Sequence, residues 1–181
     1  MALRNLPLEP PPPSWWLTAL NAAILRREFD RHGGDRRWFD LFREAERAQP
    51  LGAFRMSELS GNLLRHGFDY ADIAARRRDN YARLCEQLGE IALFPELPPL
   101  VVPLGFPVRV PNRADVQRAL FEREIYPPVH WPLPAEVPGS FAGSHLLAER
   151  VLTLPCDQRY DAGDMDSMAR HLLRVTACDP V

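Results

Sequence analysis

The feature that most constrains the fold is the longest helical pattern in the chain, which gives way to short apolar runs broken by proline. Asp69 is a suitable N-cap for a helix predicted from Tyr70 to Leu88, whose apolar residues fall near one face. The arginine run from Arg76 to Arg78 predicts the solvated face of this helix. The helical period ends at Gly89, so a different kind of structure is expected beyond it.

Three apolar runs beyond this helix predict the strands of a small sheet. Leu100 to Leu104 and Phe106 to Val110 are two of them, and their prolines restrict them to edges or bulges because proline cannot donate to the ladder. The third extends from Arg150 to Leu154. Two further helices are predicted, one that begins at Asn112 or Arg113 and ends near Arg123, and a last one that is capped by Asp161 or Asp164 and ends near Val175, with Met165, Met168, Leu172 and Leu173 facing inward.

Shorter helices are predicted in the N-terminal part of the chain. A proline-rich lead-in from Leu6 to Pro13 ends at Ser14, which is expected to cap a helix from Trp15 to Phe29. Two more helices are predicted here, from about Arg36 to Arg47 and, capped by Ser57, from Glu58 to about Arg65.

The order of these elements predicts an α/β fold class and, within it, an α+β small domain. We expect a small, mostly antiparallel sheet covered by helices, with an N-terminal helical extension. Residues 1–50 are interpreted as the proline-rich lead-in and connecting helices, and residues 51–181 as the small domain.

Composition indicates a globular protein without a nucleic-acid or membrane partner. Hydrophobic residues make up 46% and charged residues 25% of the 181 residues, and the net charge is −2. The longest apolar stretch, Trp15 to Leu25, is too short to cross a bilayer. Because Met1 to Pro13 lacks the apolar core of a signal peptide, we expect a cytoplasmic protein.

The sequence lacks the familiar catalytic and metal-binding patterns. Its five histidines have no metal-ligand spacing, and its three cysteines are too widely spaced to indicate a zinc site or a disulfide framework. Gly33-Gly34 lacks the context of a phosphate-binding loop, and the aspartates between Asp157 and Asp166 are interpreted as helix caps. No catalytic, cofactor-binding or metal-binding residue is therefore predicted, and no nucleophile–base pair supports an independent small enzyme.

One segment, Pro127 to Pro132, has the character of a ligand-binding loop. Its prolines restrict the conformations open to His130 and Trp131, and an imidazole can donate or accept a hydrogen bond near neutral pH. The alternative is a packed histidine–tryptophan pair that covers a sheet edge. The residue pattern by itself leaves both interpretations open.

Five motifs resemble those of the pyridoxal-phosphate-dependent sugar aminotransferases of the DegT/StrS type. They occur in the order that the family has them and cover about residues 51 to 175. The motifs are Phe54-Arg55-Met56-Ser57-Glu58-Leu59, Arg77-Arg78-Asp79-Asn80-Tyr81-Ala82-Arg83-Leu84, Gly105-Phe106-Pro107-Val108, Ile125-Tyr126-Pro127-Pro128-Val129-His130-Trp131-Pro132 and Leu152-Thr153-Leu154-Pro155.

The resemblance implies the C-terminal small domain of a fold-type I aminotransferase. In that family the cofactor is pyridoxal phosphate, the reaction is amino transfer to a keto-sugar nucleotide, and the active sites lie at a dimer interface. By this resemblance His130, Trp131 and Tyr126 are the substrate-binding residues for a nucleotide sugar. A homodimer, or a complementing chain with the large domain, is the implied partner.

Two departures from the family pattern limit what the chain can do. All 22 basic residues other than histidine are arginine, so the lysine that holds the cofactor as a Schiff base is missing. Ala53 stands where the family has an asparagine that contacts the cofactor phosphate.

We therefore predict the C-terminal portion of an aminotransferase-like protein that does not catalyse amino transfer alone. The alternative is a non-catalytic ligand-binding or protein-interaction module, for which Trp15, Trp16, Trp38 and Phe42 would supply an apolar surface.

Overall fold

A computed structural model describes residues 8–177 of the chain, so the start of the predicted proline-rich lead-in and Cys178 lie outside the described residues. The chain divides into two compact units, an N-terminal unit that ends at Phe68 and a C-terminal unit that begins at Asp69. Helices predominate, and one small sheet has two antiparallel strands, which confirms the predicted α+β class. The predicted assignment of residues 1–50 and 51–181 to separate domains stays a prediction.

The N-terminal unit is a pair of packed helices followed by a short third one. Proline occupies the first helical position of the first helix, where its fixed φ suits the helix and its missing N–H is not needed. The expected cap at Ser14 is therefore wrong, since this residue lies inside the helix. The predicted cap at Ser57 is confirmed by a 3.0 Å hydrogen bond from the Ser60 amide to its hydroxyl. The three helices are α1 (Pro13–His32), α2 (Arg37–Arg47) and α3 (Glu58–His66).

Aromatic side chains join α1 to α2. The Trp15 indole donates to the carbonyl oxygen of Ala45 over 2.9 Å, and the Trp38 ring lies 6.0 Å from that of Phe29, centroid to centroid. Trp15, Trp16 and Trp38 are only partly exposed, whereas Phe42 is exposed. Trp15 and Trp38, two of the residues expected to offer an apolar surface to a partner, thus make contacts within the helix pair.

The C-terminal unit begins with the predicted long helix. The predicted cap is confirmed, because the Asp69 carboxylate accepts hydrogen bonds from the amides of Ala71 and Asp72. The elements in order are α4 (Tyr70–Leu88), β1 (Phe106–Arg109), α5 (Arg113–Phe121), α6 (Ala142–Arg150), β2 (Val151–Leu154) and α7 (Ala162–Ala177).

The sheet brings two distant parts of the chain side by side. β1 pairs with β2 antiparallel, with Phe106 opposite Leu154 and Arg109 opposite Val151. On the other edge of β1, the Leu93 amide donates to the Pro107 carbonyl oxygen over 2.9 Å. Pro107 does not break the strand, because the hydrogen bond on this edge uses its carbonyl oxygen and not the missing N–H.

The core of this unit lies between the sheet and the helices α4, α5 and α7. Phe106 is fully buried and its ring centroid lies 4.8 Å from that of Tyr81. Of the residues predicted to face inward from α7, Leu173 does not, since it is 45% exposed. Its neighbour Leu172 already faces the core, and successive residues of a helix point about 100° apart. The buried members of α7 are Met165, Met168, Ala169 and Leu172.

The predicted strand from Leu100 to Leu104 is wrong. This segment is a loop, and the arginines predicted to be solvated hold part of it. Arg77 donates to the Pro103 carbonyl oxygen over 2.9 Å, and Arg78 to that of Val101 over 2.6 Å. Both arginines are partly buried by these contacts, so only Arg76 among the three belongs to the exposed face.

Among the described residues, no helix is both long enough and apolar enough to cross a membrane.

Candidate ligand-binding site

The loop that carries His130 lies beside β2 and is fixed by three hydrogen bonds. The Gln117 side-chain amide donates to the carbonyl oxygen of Pro127 over 2.9 Å. The Thr153 backbone amide donates to that of Pro128 over 3.1 Å. The Thr153 hydroxyl lies 3.1 Å from Nδ1 of His130. The loop is therefore attached to α5 at one point and to β2 at two.

This attachment leaves an aromatic pair on the surface. Trp131 is 75% exposed, and its ring centroid lies 5.2 Å from that of the half-buried His130. Tyr126 is also exposed, but its ring contact is with Phe121, at 5.4 Å. Of the three residues predicted to bind a substrate, two are adjacent in space, and Tyr126 belongs to a neighbouring aromatic pair.

Thr153 is a residue of this site that sequence reasoning did not single out. It is only 8% exposed and stands in a strand whose four residues are all buried. The sequence signal that could have identified it is a threonine between the apolar residues Leu152 and Leu154, because the hydroxyl of a buried threonine needs a hydrogen-bond partner.

A second loop follows β2 and is fixed to α4. The side chain of Asn80, itself 6% exposed, donates to the carbonyl oxygens of Asp157 and Tyr160 over 3.1 Å each. The Asp157 carboxylate accepts from the Arg159 guanidinium at 2.8 and 2.9 Å. Burial opposes ionisation of Asp157, but the hydrogen bonds and charge of Arg159, with help from Arg77, outweigh it and lower the pKa of that carboxyl group.

Two cavities of the C-terminal unit lie along α4, and neither includes His130. One, of about 540 Å³, is lined in part by Tyr81 and Cys85. The other, of about 420 Å³, is lined in part by Arg83 and Asp166, which form an ion pair at 2.7 Å. Neither cavity has a nucleophile paired with a base. Across residues 8–177, no group of three acidic, histidine or cysteine side chains is placed to hold a metal ion.

Comparisons with known proteins find a likeness of fold and no match of sequence. No family model matches the chain, and no curated protein matches it. Among solved structures, it is similar to a DegT DnrJ EryC1 StrS aminotransferase from Brucella abortus, with a TM-score of 0.50 and 19% identity over 58% of this chain and 31% of that one. It is also similar to the aminotransferase TlmJ from Streptoalloteichus hindustanus, with a TM-score of 0.47 and 17% identity over 77% of this chain and 46% of that one.

This chain thus spans about a third of the length of the first of these proteins, 31%, and under half of the second, 46%. At 19% identity the likeness is one of fold. The first of these proteins is of the type that the sequence motifs resemble.

The residues of this chain do not fit pyridoxal phosphate, the cofactor implied by the resemblance. A Schiff base needs a side-chain amine, and the sequence has no lysine. Ala53 offers only its backbone amide where the resemblance implies an asparagine side chain. No step through this cofactor can be assigned to the chain.

Proposed function

We propose that this chain is the substrate-enclosing C-terminal portion of an aminotransferase-like protein of the nucleotide-sugar type, and that it does not transfer an amino group alone. One observation carries the proposal: a lysine-free chain, similar in fold to part of an aminotransferase, presents His130 from an anchored loop beside the exposed Trp131.

His130 and Trp131 have the properties that a sugar ligand requires. An exposed indole offers an apolar face against which the carbon-bound hydrogens of a sugar ring can pack. The adjacent imidazole can hydrogen-bond to a hydroxyl or phosphate oxygen of the same ligand. Because the loop is fixed at three points, little conformational freedom is lost when a ligand binds.

Amino transfer would then need a lysine from another polypeptide. A complementing chain with the large domain, or a homodimer joined by such a chain, is the partner that we propose. The alternative, a non-catalytic ligand-binding or interaction module, uses the same loop without such a partner. It is favoured by the same missing lysine and by Ala53, which would weaken a cofactor contact even in a complex.

Ligand binding can be tested with a panel of uridine, thymidine and guanosine diphosphate sugars, by saturation-transfer NMR on the full chain. We expect at least one to bind, and His130→Ala or Trp131→Ala to weaken that binding about tenfold, the equivalent of about 1.4 kcal/mol. His66→Ala is the matched control, since His66 is exposed and lies in the other unit. No binding by any member of the panel, or equal binding by all variants, would contradict the proposal.

The lack of unaided catalysis can be tested with pyridoxal phosphate and borohydride. We expect peptide mapping to find a reduced adduct at the N-terminal amine alone, and none after that amine is acetylated. An adduct on any side chain, or amino transfer by the purified chain, would show that the missing lysine does not limit the protein.

A further inference from the structure

Thr153 contacts the His130 loop through two different groups. Its backbone amide donates to the carbonyl oxygen of Pro128, and its hydroxyl lies 3.1 Å from Nδ1 of His130. The first contact would survive any substitution other than proline. The second depends on the hydroxyl alone, so the two can be separated by mutation.

The surroundings of the Thr153 hydroxyl decide which group donates. The side chain is 8% exposed, and among the described residues Nδ1 of His130 is the hydrogen-bond partner of its oxygen. If Nδ1 carried the proton and donated it, the buried hydroxyl hydrogen would have no acceptor. An unsatisfied buried donor is unfavourable by about 1–3 kcal/mol. The hydroxyl hydrogen therefore has reason to point at Nδ1.

We propose that Thr153 is a positioning residue that holds neutral His130 in the tautomer with its proton on Nε2. Nδ1 then accepts from Thr153, and Nε2–H is the group that remains for a ligand. The loop thus presents a hydrogen-bond donor beside the exposed face of Trp131.

This assignment rests on the proposed function and narrows the ligand chemistry. A donor at Nε2 selects an acceptor oxygen, such as a phosphate oxygen or a sugar carbonyl or hydroxyl, placed next to an apolar ring face. It disfavours an ammonium group at that point, because two donors would face each other. The amino-sugar product is therefore bound less well at Nε2 than a keto-sugar substrate of the same skeleton when its amine lies there.

The test is the tautomer of His130, read from two-bond ¹H–¹⁵N spectra of the full chain labelled at histidine. The measurement is made at about pH 8.5, where an ordinary imidazole is neutral. His130→Gln assigns the signals. We expect a pyridine-type Nδ1 and a pyrrole-type Nε2 in the wild type and in Thr153→Ser. In Thr153→Val, which keeps the shape and the backbone amide, we expect the two nitrogens to move toward averaged values.

Sugar-nucleotide affinity gives a second measurement. Thr153→Val should weaken binding about fivefold, and Thr153→Ser should restore it. A proton on Nδ1 in the wild type, or an unchanged spectrum in a folded Thr153→Val, would overturn the assignment. The expected tautomer without binding of any sugar nucleotide would support the role of Thr153 and contradict the proposed function, so the two failures are distinguishable.

Discussion

The side-chain amide of Asn80, in the middle of α4, donates to the backbone carbonyl oxygen of Tyr160 over 3.1 Å, although 80 residues of sequence separate them. A further bond of 3.1 Å reaches the Asp157 carbonyl oxygen. One buried amide thereby satisfies carbonyl groups in the loop between β2 and α7. This loop directly follows β2, the strand that carries Thr153, so the Asn80 hydrogen bonds help to hold the strand against which the His130 loop lies.

Replacing Asn80 should destabilise the C-terminal unit by about 1–3 kcal/mol, since partly buried carbonyl oxygens would lose their donor. We expect Asn80→Asp to be worse than Asn80→Ala, because a carboxylate would face the same oxygens. Urea unfolding followed by far-UV circular dichroism measures the change. Asp79→Ala is the control, as Asp79 is exposed on the same helix. Equal stabilities of the Asn80 and Asp79 variants would contradict this role.

Gly105 is required because it lies against Thr153. A Cβ added there would be 2.5 Å from Cγ2 of Thr153 and 3.0 Å from the Leu154 carbonyl oxygen. We expect Gly105→Ala to reduce the free energy of unfolding by about 1–3 kcal/mol and to shift the His130 ring signals, because Thr153 must move. At Gly139 an added Cβ would meet nothing within 4 Å, so Gly139→Ala is the matched control. A Gly105→Ala protein as stable as this control would contradict the contact.

Capping and periodicity predicted much of the C-terminal unit from the sequence. Asp69 and the helical period located α4, and the apolar run ending at Leu154 located β2, because these signals are local. α6 (Ala142–Arg150) was missed because it has no side-chain cap, no acidic residue in its first turn and Gly143 within it. Its formation depends on tertiary packing that a local pattern does not reveal.

The loop from Leu100 to Leu104 shows why apolar runs mislead. Its composition is that of a strand, but Arg77 and Arg78 bind carbonyl oxygens that a neighbouring strand would otherwise need. Such long-range contacts depend on where α4 lies in the fold. The contact between His130 and Thr153 is also long-range, so the proline-rich pattern around His130 could single out this residue but could not reveal its partner.

The ionised form of Asp157 should stabilise the protein in a way that depends on pH. Its folded pKa is lowered, so its contribution is fully present above the unfolded value of about 3.9 and is lost as the pH falls through the lower, folded pKa. We expect Asp157→Asn to reduce stability at pH 7 by about 1 kcal/mol, since solvent screens the half-exposed Arg159. Urea unfolding between about pH 7 and pH 2 measures whether this difference shrinks toward acid.

Asp79→Asn is the control for that series, because Asp79 is exposed. Its free energy of unfolding should differ little from that of the wild type across the pH range. If the difference in free energy of unfolding between the wild type and Asp157→Asn grew as the pH fell, the lowered pKa of Asp157 would be contradicted.

The two described cysteines should differ in reactivity. Cys156 is fully buried, and burial, opposed by Arg77 and aided by Asp157, raises the pKa of its thiol to about 12. Because the thiolate is the reactive form and a more basic thiolate is only partly compensated by its higher nucleophilicity, we expect Cys156 to react at pH 8 at least about a hundredfold more slowly than an ordinary thiol of pKa about 8.5. Cys85 is partly exposed in the 540 Å³ cavity and should react first.

Iodoacetamide labelling followed by mass spectrometry measures this difference in proteins that also carry Cys178→Ser. The Cys85→Ser form, which retains Cys156, should remain unlabelled under native conditions and become labelled in urea. The Cys156→Ser form, which retains Cys85, should be labelled in both, provided that its circular dichroism matches that of the wild type. Rapid labelling of Cys156 under native conditions would contradict this prediction. It would mean that the loop after β2 opens often enough to expose the buried thiol.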